Sequence, residues 1–120
     1  MTQVLIKPRF SETDQNGHIS HTVIPVWMEE GRVALLDHHQ IRELKLVVVN
    51  LTIDYRAEMK FGQAVSVSSR VTKVGRTSIT VAQSLKQGRT VCASGSTILC
   101  NIDVVSGMPS PISEDLRALL

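Results

Sequence analysis

The chain has 120 residues, enough to bury one core but not two, so a single domain over residues 1–120 is expected. Thirteen Lys and Arg against eleven Asp and Glu leave no basic field for neutralising phosphates, which argues against nucleic acid as a partner. The longest apolar stretch, LVVVNLTI at 46–53, is far short of the roughly 20 residues that span a bilayer, and MTQVLIKP lacks a signal pattern, so a cytoplasmic protein with no membrane partner is expected.

An opening strand is expected near Gln3 to Phe10. It runs into SETDQNGHISHTVIPVWMEEGR, Ser11 to Arg32, in which an acid, a turn and two histidines precede a helix. At about 100° per residue, Ile24, Trp27, Met28, Gly31 and Leu35 fall on one stripe from Val23 to His38. Val26, Val33 and Leu36 occupy other faces and leave a narrow polar band around Glu29 and Arg32, the pattern of a helix buried nearly all round. Pro25 has no N–H to donate and belongs in the first turn, which places the cap near His21 or Thr22. Gly31 lies mid-stripe, where its missing side chain lets a sheet come close. His38 and His39 close the helix at the negative end of its dipole and read as structural.

Strand alternation then takes over, near Leu44–Ala57, Ala64–Val74, Thr77–Lys86 and Thr90–Val104. Glycines at 62, 75 and 88 are evenly spaced and fit strand, tight turn, strand, which predicts an antiparallel meander in the order β-α-β-β-β-β. Cys92 and Cys100 have neither paired spacing nor histidine company and read as small apolar strand residues. The tail SPISEDLRALL predicts a short capped helix.

An antiparallel five-stranded sheet wrapped around one central helix is the α+β hotdog fold. The segment RFSETDQNGHISHTVIPVWMEEGR resembles the amino-terminal signature of the 4-hydroxybenzoyl-CoA thioesterase family, in which an aromatic precedes Thr-Asp and a Gly follows three residues after the Asp. There a helix ends its second turn in Glu-Glu-x-Arg, as here. The resemblance continues through LTIDYRAEMKFGQAVSVSSRVTKVGRTSITV and NIDVVSGMPSPISEDLRALL. It implies an acyl-CoA thioesterase that assembles as a homodimer or a dimer-of-dimers tetramer. Coenzyme A would enter as part of the substrate, with no resident cofactor.

On local chemistry alone Asp14-Gln15-Asn16-Gly17 is a turn. The resemblance makes Asp14 the catalytic carboxylate, as nucleophile or as general base, and makes the His21 backbone N–H the oxyanion donor. Helix amino-termini present unpaired N–H groups and a positive dipole end, which suits that second role. The His21 imidazole departs from the family, where Asn or Tyr is usual. Some hotdog thioesterases carry their carboxylate on the central helix, so Glu30, at the edge of the apolar stripe, is the reserve candidate. Glu29 lies opposite that stripe within reach of Arg32.

Asp14, His18 and His21 also form a possible ligand set, two imidazoles three apart and a carboxylate. No supporting outer partners can be identified in the sequence, so no metal is expected, and Gly17 and His18 are placed in the substrate-binding loop. Coenzyme A phosphates need a few cations at a pocket mouth: Lys73 and Arg76 around Gly75 come first, then Arg56 and Lys60. The alternatives to a thioesterase are a hotdog protein that binds acyl-CoA without catalysis and a hotdog hydratase. The Asp and His motif of the latter is not found in the chain.

Overall fold

A computed structural model describes residues 1–120. In chain order the elements are β1 (Thr2–Ile6), α1 (Ile24–His38), β2 (Leu46–Tyr55), β3 (Val65–Val74), β4 (Ser78–Gln87), β5 (Thr90–Asn101) and α2 (Glu114–Leu119). Short 3-10 turns occupy Phe10–Glu12 and His21–Val23. The five strands form one antiparallel sheet in the order β1-β3-β4-β5-β2, curled against α1 as the hotdog arrangement requires. No helix is long and apolar enough to cross a membrane.

β3, β4 and β5 make the expected meander, but the turn at Gly62 does not join neighbours. β1 takes the outer edge of β3, with Val4 opposite Val67 and Ile6 opposite Val65, so β2 must find its partner elsewhere. It pairs with β5 from Leu46 opposite Asn101 to Tyr55 opposite Ala93. Even glycine spacing marks where the chain turns, not which strand it meets, and the fully sequential meander is corrected accordingly. β1 also stops at Ile6 instead of reaching Phe10: Pro8 has no N–H for the ladder, and the chain bends into its first 3-10 turn.

Ser20 caps the 3-10 turn that leads into α1, its Oγ accepting the Thr22 N–H at 3.2 Å, and α1 itself follows Val23, so the cap is neither His21 nor Thr22 as the sequence suggested. The 3-10 turn His21–Val23 runs straight into α1 with Pro25 in its first turn. At the other end Gln40 adopts φ 57 after the last helical turn, a left-handed conformation that favours glycine. Its side chain is exposed and makes no hydrogen bond. Gln40→Gly is therefore expected to raise the unfolding free energy by about 0.5–1 kcal/mol, read from urea denaturation midpoints.

Two apolar clusters fill the space between α1 and the sheet. Ile24, Trp27 and Met28 pack on Val65, Val67 and Leu85, and Leu35 packs on Ile79, Val81, Leu99 and Ile112. Each fully buried large side chain contributes about 1.5–3 kcal/mol. A polar layer separates the clusters. Arg32, expected in the solvated band, is instead 8% exposed, and its Nη1 donates to Gln83 Oε1 at 3.3 Å and Thr97 Oγ1 at 3.2 Å. Gln83 Nε2 donates onward to the Met28 carbonyl at 2.7 Å and to Ser69 Oγ at 2.8 Å. Gly31 allows this close approach: a Cβ there would lie 2.7 Å from Gln83 Nε2 and 2.8 Å from Val67 Cγ1.

The helix is not enclosed within one chain. It packs on β1 and β3 and touches β4, while Val26 and Val33 on its outer side remain 54% and 62% exposed. The inner face of β2 joins the core only at its ends, through Ile53 and Leu46, which leaves Val48 and Leu51 between them 49% and 38% exposed. At the far end α2, capped by Ser113, sends the Arg117 guanidinium to the carbonyls of Val74 and Gly75, both at 3.0 Å.

Candidate active site

The segment between the first 3-10 turn and α1 is sewn down at three places. Glu12 Oε1 accepts the Arg9 N–H at 2.7 Å and its Oε2 accepts the Trp27 indole N–H at 3.2 Å, which ties the loop to the helix. The Asp14 N–H donates to the His18 carbonyl at 2.7 Å, closing a small loop. The Ile19 N–H donates to the Met59 carbonyl at 3.0 Å, which fastens that loop to the crossing segment after β2.

Inside the loop, Asp14 Oδ1 accepts two backbone N–H groups, from Asn16 at 2.8 Å and His18 at 3.1 Å. Oδ2 accepts none, so the carboxylate is oriented through one oxygen and free at the other. Gly17 makes the turn possible: its φ is 80°, its N–H donates to the Asp14 carbonyl at 3.2 Å, and an added Cβ would meet nothing, so backbone conformation alone calls for glycine.

Asp14, His18, His21 and Arg56 share one cavity of about 320 Å³. Its floor is apolar, with Ile19, Ile24, Met59 and Ala93. Tyr55 and Glu58, which sequence reasoning did not single out, complete it. His21 stands first in the 3-10 turn, where no preceding turn supplies an acceptor for its N–H, and its carbonyl accepts the Tyr55 hydroxyl at 3.2 Å. The Tyr55 ring meets the His21 imidazole edge to face, with centroids 6.0 Å apart. The His18 imidazole turns to Glu58, Nε2 to Oε2 at 3.0 Å. Arg56 Nε donates to Ser94 Oγ at 2.9 Å, and its Nη2 lies 3.8 Å from Asp54 Oδ2.

The remaining candidates lie elsewhere. Lys60 is beside the rim, bridged to His18, with its backbone N–H and carbonyl both held by the Gln87 side chain at 2.8 Å. Glu30 is exposed and faces a separate groove with Lys7, Arg9 and Trp27, so within one chain it is not a substitute for Asp14. Lys73 and Arg76 are exposed around the Gly75 turn, at the Leu46 end of the sheet, whereas the cavity is at the Tyr55 end.

A second cavity of about 150 Å³ opens between α1 and the Leu46 end of β2. Its walls are the apolar side chains of Leu35, Leu36, Leu46, Val48 and Leu99, with Arg32 and Glu29 as its only charged residues. Burial lowers the Arg32 guanidinium below its ordinary pKa, and the neighbouring Glu29 charge offsets part of that. Arg remains charged at any physiological pH.

Comparison with known proteins follows the fold. The sequence pattern of the Thioesterase-like superfamily matches residues 8–120. The chain is 34% identical to a structure described as a predicted thioesterase from Bacillus stearothermophilus, covering 97% of this chain and 90% of that one with a TM-score of 0.89. It is 25% identical to a thioesterase from Thermus thermophilus solved with coenzyme A and zinc, over 98% of this chain and 89% of that one, with a TM-score of 0.84. A DHNA-CoA thioesterase from Staphylococcus aureus has the same fold, with a TM-score of 0.89 at 20% identity over 98% of this chain and 87% of that one. A search of curated proteins found no match. The chain belongs to the Thioesterase-like superfamily.

Proposed function

We propose that the protein is a cytoplasmic acyl-CoA thioesterase of the 4-hydroxybenzoyl-CoA thioesterase type, with Asp14 as its catalytic carboxylate. The observation that carries this reading is the half-satisfied Asp14 carboxylate in one cavity with the amino-terminal turn of the helix. Asp14 Oδ2 either attacks the thioester carbon, forming an acyl-aspartyl anhydride that water then opens, or takes a proton from the water that attacks. In both routes the C–S bond breaks and the thiolate of coenzyme A leaves. The His21 N–H, at the positive end of the helical run, receives the developing charge on the thioester oxygen. The coenzyme A complex of the Thermus thermophilus thioesterase supports coenzyme A as the carrier of the acyl group.

The active unit in this reading is a homodimer, alone or paired into a tetramer. β2 is a ten-residue edge strand whose Val47, Val48 and Val49 are 40%, 49% and 59% exposed, an edge that invites another strand. Two β2 strands paired antiparallel about a two-fold axis make one continuous sheet with both helices on the same face. That pairing brings the Leu46 end of one strand beside the Tyr55 end of the other. Lys73 and Arg76 of one chain then lie toward the Asp14 cavity of its partner, where with Arg56 and Lys60 they meet the phosphates. Sedimentation equilibrium at micromolar concentration is expected to give a dimer or tetramer, and a stable monomer would remove the shared site.

Thiol release measured across aromatic and aliphatic acyl-CoA esters tests the activity. Turnover of at least one class is expected. Saturable binding without thiol release would turn the reading toward the non-catalytic alternative.

A further inference from the structure

We propose that the Arg32 cavity receives the far end of the acyl group, and that the preferred acyl group ends in a carboxylate on a body of about six carbons. The inference rests on the thioesterase reading above and deepens it.

Arg32 as a whole is 8% exposed, and the only hydrogen bonds of its guanidinium leave from Nη1, to Gln83 and Thr97. Nε and Nη2 donate to nothing within the chain. Those two nitrogens form the side-on edge of the guanidinium, whose parallel N–H groups match the two oxygens of a carboxylate. Glu29 lies at the same cavity but not within ion-pair distance, so the fork is not taken by the neighbouring acid. Neither nitrogen is sealed off, so both can reach a ligand in the cavity, and Leu46, Val48 and Leu99, which share it, have no acceptor to offer.

Size sets the rest of the ligand. The cavity of about 150 Å³ is comparable to apolar cavities that admit a six-carbon ring. Place agrees with size: the antiparallel pairing of β2 strands sets the Leu46 end, where this cavity opens, beside the Tyr55 end that holds Asp14 in the partner. A thioester held at Asp14 of one chain can thus extend its acyl group across the boundary into the Arg32 cavity of the other.

The test has two arms. In the first, the intact protein is titrated calorimetrically with free hexanoate and with neutral hexanamide, which need no turnover. Hexanoate is expected to bind at least about tenfold more tightly, the usual worth of a charge-assisted hydrogen-bonded pair. In the second, thiol release is compared for adipyl-CoA and hexanoyl-CoA. The parent is expected to favour adipyl-CoA at least about tenfold in kcat/KM, and Arg32→Met to lose that preference. Arg32→Lys, which keeps the charge but not the fork, is the second variant should the first fail to fold, and it is expected to lose most of the preference. Equal binding of hexanoate and hexanamide by the parent would overturn the proposal, and Arg32 would then be a tie between helix and sheet. If no ester is hydrolysed yet hexanoate binds selectively, the thioesterase reading fails and the carboxylate site stands.

Discussion

Replacing Asp14 by Asn is expected to lower turnover at least about a hundredfold and to leave the fold and the assembly intact. The structural half of that expectation comes from Oδ1. It accepts the N–H groups of Asn16 and His18, and an asparagine oxygen can accept both equally well, so the loop keeps its shape. The chemical half comes from Oδ2, which makes no hydrogen bond in the chain and becomes an amide that can neither attack a thioester nor take a proton. General-base assistance alone is worth about 10² to 10⁴ in rate, and loss of a covalent route costs more. Steady-state thiol release together with the thermal midpoint checks both halves. Activity within a few-fold of the parent would reduce Asp14 to a turn residue, and the nearest remaining carboxylate in the cavity is Glu58, not Glu30.

Gly95→Ala is expected to be the most damaging single methyl group in the molecule, at about 2–3 kcal/mol. A Cβ at Gly95 would collide with the Thr52 carbonyl oxygen and lie 2.8 Å from Met28 Cε. The methionine end can move, but Thr52 is backbone in β2, and shifting it breaks the register of the edge strand with β5. Against a total stability of about 5–15 kcal/mol, the loss is large. Differential scanning calorimetry is expected to show a fall of about 10 °C. Gly75→Ala is the control: its nearest neighbour is the Ser78 hydroxyl at 3.0 Å, a side chain that can turn away. If the Gly95 variant melts with the parent, β2 is held less firmly than its ladder implies.

The parts of the molecule that were readable from sequence are those decided locally. Alternation located β3, β4 and β5 to within a residue or two at most ends, and the apolar stripe located α1 and its close approach at Gly31. The turn that carries Asp14 was legible because its residues are contiguous, acid, glycine and helix start lying within ten residues, whereas its proposed role came only from the family resemblance. Pairing was not, because whether β2 joins β3 or β5 depends on β1, which alternation cannot see. Arg32 was misplaced because a helical wheel assigns charge to solvent, whereas Gln83 and Thr97 supply acceptors from strands far along the chain. Glu58 and Tyr55 gave no signal: one sits in an irregular crossing without periodicity, the other ends a strand whose neighbours look alike. Lys73 and Arg76 were chosen for their turn, and a turn does not say at which end of the sheet it lies.

The strand order also has a consequence for how the chain is made. Translation releases β1 and β2 before either has a partner, since β1 waits for β3 and β2 waits for β5, the last strand to leave the ribosome. The consecutive hairpins of β3, β4 and β5 close at low loop entropy, so the sheet grows from its middle and recruits its edges afterwards. Through that interval the stretch Val47–Leu51 is nascent, apolar and unpaired, the condition in which chains aggregate and chaperones bind. The valines left exposed on the finished edge strand are thus the same ones that its synthesis leaves longest alone.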